Sequence, residues 1–98
     1  MRKIKYSFKY TQNFYLEYRR IAKKDRGLVL SVEETLKKLS VDPFSKSLRT
    51  HYVQVPSLNK VFSSRVNGDI RILWVIDAEG TIILQRIGSH SGSSKVYR

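Results

Sequence analysis

The chain has 98 residues, a hydrophobic share of 41%, nineteen Lys and Arg against eight Asp and Glu, and no cysteine. That length holds one domain with a modest core, no apolar run is long enough to span a membrane, and disulfides and thiolate metal sites are excluded. A formal net charge of +11 in so small a domain repels itself and points to a polyanionic partner: nucleic acid, an anionic membrane surface or an acidic protein.

The opening segment MRKIKYSFKY has no continuous apolar stretch, so no signal peptide is expected. Residues 3–10 alternate, with Ile4, Tyr6, Phe8 and Tyr10 on one face and Lys3, Lys5, Ser7 and Lys9 on the other. This is the pattern of a half-buried strand, and its lysines suit a sheet edge. Thr11 can cap a helix running to about Lys24, with Phe14, Tyr18 and Ile21 as its apolar stripe and a basic last turn that suits the helix dipole. Asp25-Arg26-Gly27 then breaks the chain. A second helix follows to about Ser40, with Val29, Val32, Leu36 and Leu39 as its stripe; Ser31 and Glu34 resemble a capping box that can mark its start. Asp42-Pro43 ends it.

From residue 42 to residue 60 periodicity is lost, and Pro43, Ser45, Ser47, Pro56, Ser57 and Asn59 read as loop, with a short strand over 52–55. Three strands follow, over 61–66, 70–76 and 81–87. The middle one places Ile70, Ile72, Trp74 and Ile76 on one face and Leu73 and Val75 on the other. A strand apolar on both faces is central and covered on both sides. Asp77-Ala78-Glu79-Gly80 makes the second turn, and Gly88-Ser89-His90 reads as the loop that ends the last strand. The remaining tail is rich in serine and glycine, with Val96-Tyr97 apolar enough to dock. The expected fold is α+β: an N-terminal strand, a two-helix α-hairpin, then a sheet of three or four antiparallel strands, in two layers.

The turn between the first two of these strands decides which side chains share a face. A two-residue Asn67-Gly68 turn, favoured by the tolerance of both residues for positive φ, sets Arg65 and Arg71 on opposite faces. A three-residue turn, Asn67-Gly68-Asp69, pairs them and builds one cationic face. The sequence leaves both open.

No metal or cofactor is expected. There are two histidines, no cysteine and scattered carboxylates, whereas a closed zinc site wants four ligands at recognisable spacing. There is no P-loop, no GxGxxG and no GxSxG elbow. What remains is cations with two histidines around one sheet, a set suited to cleavage of an RNA backbone. That reaction needs a base for the ribose 2′-OH, an acid for the leaving 5′-oxygen, and fixed positive charge on the phosphorane. Histidine serves either proton transfer near neutral pH, and arginine supplies forked donors to phosphate. Arg71 interrupts an apolar strand, and His90 sits beside glycine at a strand end; His51 lies in the preceding loop. Lys46, Arg49, Lys60, Arg86 and Lys95 together form the electrostatic footprint expected of an RNA site. Tyr97 is either a packing anchor or a stacking surface for a base.

The segments SLRTHYV (47–53), SSRVNGDIRILWVID (63–77) and RIGSHSGSSKVY (86–97), in this element order, resemble the RelE/ParE toxin superfamily and within it the YafQ-like mRNA interferases. The likeness spans nearly the whole chain. It implies a RelE-like single domain over residues 1–98, and the toxin of a type II toxin–antitoxin system. Such a toxin is a ribosome-dependent, metal-independent endonuclease that cuts mRNA in the ribosomal A site, beside rRNA, and so inhibits translation in the cytoplasm. It implies a cognate antitoxin, acidic and with an amphipathic helix. By the same resemblance His90 falls on the strand-end histidine that acts as general acid or base, and His51 on the histidine of the preceding loop. Asp69 and Arg65 fall near an acidic and a second basic or imidazole position, Arg71 on the arginine aimed at the scissile phosphate, and Tyr97 on the C-terminal aromatic. Two alternatives stay open: a ParE-like poison of DNA gyrase, and a catalytically inactive module that binds its antitoxin.

Overall fold

In the computed structural model, which describes residues 6–56 and 58–89, Thr11 turns a strand into a helix. Strand β1 (Ser7–Tyr10) ends there and helix α1 (Gln12–Lys24) begins. The Thr11 hydroxyl accepts the Phe14 N–H at 3.1 Å and donates to the Gln85 carbonyl at 2.8 Å, and the Thr11 N–H donates to the Leu84 carbonyl. One residue thus caps the helix and ties its start to the last strand. Asp25 alone separates α1 from α2 (Arg26–Val41). Its N–H donates to the Ile21 carbonyl, closing α1, and its carboxylate accepts the Leu28 N–H at 3.1 Å, opening α2. The break is therefore one residue, not the expected three. The helix starts a turn before the Ser31–Glu34 pair because Asp25 already satisfies a first-turn N–H. Leu28 rather than Val29 is buried, along with Val32 and Leu39.

A single 3₁₀ turn (Lys46–Leu48) leads into strands β2 (His51–Val55), β3 (Asn59–Arg65), β4 (Ile70–Ile76) and β5 (Thr81–Ser89). The sheet has five strands in the order β1-β5-β4-β3-β2. Neighbours from β2 to β5 are antiparallel; β1 pairs parallel to β5, Ser7 opposite Thr81, so the sheet is mixed and β1 is an edge as expected. Strand β4 lies at its centre. A register shift at Leu73/Trp74 opposes Leu73 to Arg86 and Trp74 to Leu84, leaving Gln85 as the extra residue. That bulge frees the Gln85 carbonyl for Thr11.

Helices cover one face of the sheet. There Phe14, Leu28, Val32, Leu39 and Leu48 pack with Ile72, Trp74, Ile82, Leu84 and Ile87. On the second face a smaller cluster joins Val55, Val61 and Leu73, with Val53, Leu58 and Val75 against it. Both apolar faces of β4 are thus used, as its composition requires.

Two turns depart from expectation. Arg65 opposes Arg71, so the β3–β4 connection is the three-residue Asn67-Gly68-Asp69 rather than the favoured two-residue turn. Neither Asn67 nor Gly68 takes positive φ, which among the described residues is confined to Arg49, Asn59 and Gly80. Instead the Asn67 carboxamide oxygen accepts the N–H groups of Asp69 at 2.9 Å and Ile70 at 2.8 Å. This side-chain turn outcompetes the glycine-driven one. At the far end, Gly88 and Ser89 are not loop. They continue β5 opposite Arg71 and Ile70, because the ladder has partners for them. His90, Lys95 and Tyr97 lie outside the described residues, as do residues 3–5 of the expected first strand.

Candidate functional site

The second face of the sheet carries the chemistry. Alternation places His51, Ser63, Arg65, Arg71 and Leu73 on it together. His51, Ser63 and Leu73 form one row across β2, β3 and β4; Arg65, Arg71 and Gly88 form the next across β3, β4 and β5. His51 is therefore the diagonal neighbour of Arg65, about 7–8 Å away in ordinary sheet geometry.

The two arginines converge. Arg65 Nε donates to the Asn67 carbonyl at 3.1 Å, and Arg71 Nη1 donates to the same oxygen at 2.7 Å and to the Ile70 carbonyl at 3.1 Å. The turn that pairs them also holds their guanidinium groups, through its own backbone. Like charges directly opposite on a sheet repel, and both side chains stay half-buried on this face. The donor atoms left over form a cationic surface suited to an anion with several oxygens. Asp69, in the turn, accepts from the Ser89 hydroxyl at 2.7 Å. Ser89 is the residue before His90, so Asp69 anchors the strand end that leads to it.

His51 is exposed. Its Nδ1 lies 2.9 Å from the Arg49 carbonyl. A carbonyl only accepts, so Nδ1 carries the proton and Nε2 is the free base in the neutral ring. Arg49 provides that carbonyl from a left-handed conformation, φ 48°.

The chain leading into His51 is fixed by a hydrogen-bonded sequence that sequence reasoning missed. Trp74 Nε1 donates to Ser64 Oγ at 2.8 Å, Ser64 and Thr50 hydroxyls meet at 2.7 Å, and Thr50 Oγ1 donates to the Pro43 carbonyl at 2.6 Å. Thr50 has one proton and gives it to Pro43, so Ser64 donates to Thr50. Each hydroxyl donates once and accepts once. This ties β4, β3, the residue before His51 and the end of α2 together. The available signal was the tryptophan in a core strand, whose N–H needs a buried acceptor.

Of the remaining expected cations among the described residues, Arg86 continues the His51–Ser63–Leu73 row onto β5, and the other three are exposed elsewhere. Lys46 and Arg49 are exposed at the 3₁₀ turn, and Lys60 is exposed on the helix-side face by alternation. Arg86 pairs with Glu17 of α1: Nη2 lies 2.7 Å from Oε2, and Nε donates to both carboxylate oxygens at 3.2 Å. The Glu17 hydrogen bond raises the Arg86 pKa above its ordinary value, with burial opposing and the Glu17 charge assisting. Glu17 also accepts the Ile87 N–H, so it joins α1 to β5. Among the described residues no three His, Cys, Asp or Glu side chains gather into a metal-binding group. No helix among them is long and apolar enough to cross a membrane.

No protein-family model and no curated protein sequence matches the chain. Solved structures do. The YoeB dimer from Staphylococcus aureus superposes with a TM-score of 0.68 at 16% identity, over 84% of this chain and 93% of that one. The toxin–antitoxin complex RelBE2 from Mycobacterium tuberculosis gives 0.64 at 25% identity, over 86% and 96%. The DinJ–YafQ toxin–antitoxin complex from E. coli gives 0.65 at 14%, over 89% and 94%. The chain has the fold of the RelE, YoeB and YafQ toxins. In this RelE-like fold the two helices back one face of the sheet, and the Arg65–Arg71 pair lies on the other.

Proposed function

We propose that this protein is the toxin of a type II toxin–antitoxin pair, acting in the cytoplasm as a ribosome-dependent endonuclease on mRNA in the A site. The carrying observation is the cross-strand pairing of Arg65 with Arg71 on the face that also holds His51. Two guanidinium groups opposite one another cost stability unless an anion lies between them, and the phosphorane of a cleaving RNA backbone is such an anion.

In the proposed reaction a base takes the ribose 2′-OH proton, and the resulting oxygen attacks the adjacent phosphorus. The bond to the 5′-oxygen breaks, and an acid protonates that oxygen as it leaves. His51, whose Nε2 is free, and His90 are the proton-transfer pair; Arg71 and Arg65 hold the phosphate oxygens in the transition state. Asp69 positions the end of β5, and Tyr97 completes the site. Lys46, Lys60 and Lys95 add the diffuse charge that holds mRNA and rRNA. Arg49 adds to the same charge, and Arg86 would join it only where RNA phosphate displaces Glu17 from it. The route asks no metal of the protein.

Two of the similar structures are toxin–antitoxin complexes. They support a cognate antitoxin here, and the charge of +11 calls for an acidic one.

Growth after induced expression of the wild type, His90→Ala and Arg71→Ala, with primer extension on a reporter mRNA, tests the proposal. Arrest with codon-phased cuts, lost in both variants, is expected. Arrest without cuts transfers the reading to a gyrase-type target, and no arrest reduces the protein to a binding module.

A further inference from the structure

A row of aromatic rings crosses the helix-side face of the sheet and ends at its rim. Tyr52 on β2 opposes Phe62 on β3, which opposes Trp74 on β4. Phe62 stacks on Trp74 with centroids 4.6 Å apart and planes 26° from parallel; Tyr52 stacks on Phe62 at 4.1 Å and 22°. Phe44 braces the row edge-on, 5.2 Å from Phe62 at 78°. Trp74 is fully buried, whereas Tyr52 is 64% exposed. Among the described residues strand β2 is the last in the sheet, so Tyr52 has a sheet neighbour on one side only among them.

The chain segment that carries Tyr52 and Phe62 is basic, and the nearest acid in sequence, Asp42, has its carboxylate on the Phe44 N–H at 3.1 Å. Between Asp42 and Asp69 the chain has no acidic residue, and Lys46, Arg49, Lys60 and Arg65 fall within that span. Lys60 shares the face of Tyr52 and Phe62 by alternation. His51, the residue before Tyr52, points to the opposite face, so the two flank the same sheet edge.

We propose that Tyr52 is a stacking site for an unpaired base of single-stranded RNA, extending the Trp74–Phe62–Tyr52 row by one ring. The ring is already fixed against Phe62, so little rotamer freedom is lost when a base joins it. Stacking on an aromatic side chain supplies base affinity without sequence readout, and the acid-free basic span supplies attraction to the adjacent phosphates. A nucleotide on Tyr52 leaves its neighbour free to cross the β2 edge toward His51. The proposal rests on the nuclease reading for the choice of RNA.

The test is binding of a fluorescent hexaadenylate and of a sugar–phosphate hexamer lacking bases, at low salt, to the full chain. The wild type and Tyr52→Phe are expected to prefer the adenylate about tenfold. Tyr52→Ala is expected to lose that preference while its circular dichroism and Trp74 fluorescence stay folded, and Lys60→Gln to weaken both ligands alike. An equal preference in Tyr52→Ala, or none in the wild type, overturns the proposal. Because binding is read, a Tyr52-dependent preference upholds it even where ribosomes show no cuts. Cuts without any such preference overturn it and leave the nuclease reading standing.

Discussion

Leu73 and Trp74 are adjacent in the chain and both fully buried, yet they belong to regions of different kind. Trp74 enters the large core beneath the two helices, with its N–H closed into the Ser64–Thr50–Pro43 sequence. Leu73 enters a small aliphatic cluster, and the next residue on its face is Arg71, paired with Arg65. One strand thus serves two ends. Its even positions supply cohesion, and its odd positions end in charges that repel each other. The lesson is that the second face is held in shape by the first.

The sharpest test of this contrast is stability. Trp74→Ala should cost about 3–5 kcal/mol, and Leu73→Ala about 2 kcal/mol, at the low end for such truncations because its cluster is small. Urea denaturation measures both. Equal costs would erase the distinction between the faces.

Next comes Arg71→Gln. It should lower cleavage on programmed ribosomes by about a hundredfold or more. Its urea midpoint should be unchanged or slightly raised, since one of two opposed cations is gone. A marked loss of stability would make Arg71 a structural residue.

Ser64→Ala should destabilise by about 1–3 kcal/mol, because it orphans the Trp74 N–H inside the core. The His51 ring resonances, read by proton NMR at one fixed pH, should move as well, since Thr50 loses its donor. An unmoved His51 signal would separate the buried sequence from the site.

The smallest effect is at Glu17. Its pair with Arg86 is only partly buried, so Glu17→Gln should cost under about 1 kcal/mol by thermal melting. The pair raises the Arg86 pKa. A raised folded-state pKa gives stability that is complete below the unfolded value and lost only as pH climbs through the folded one. Arginine titrates far into alkali, so the Arg86 contribution should be constant across the neutral range. Melting both proteins from mildly acidic to mildly alkaline pH checks this.

The two faces of β4 were legible in the sequence because strand alternation has period two and its apolar residues obey it. The Thr11 cap and the lysine-bearing edge strand were legible for similarly local reasons. The pairing of Arg65 with Arg71 was open, since the turn depends on whether the Asn67 carboxamide or the glycine backbone wins. Here the carboxamide takes two N–H groups. The parallel pairing of β1 with β5, the Glu17–Arg86 pair and the Thr50–Ser64 contact join distant residues. No local pattern announces such partners. The continuation of β5 through Gly88 and Ser89 was hidden by their loop-like composition.

The central claim, that the Arg65–Arg71 face cuts mRNA, is tested most directly by primer extension on ribosomes programmed with a defined message. Purified wild-type protein and folded Arg71→Gln are compared at equal concentration. The account predicts cuts within the A-site codon for the wild type and their loss in the variant. Intact message with the wild type, or the same cuts with Arg71→Gln, would contradict it.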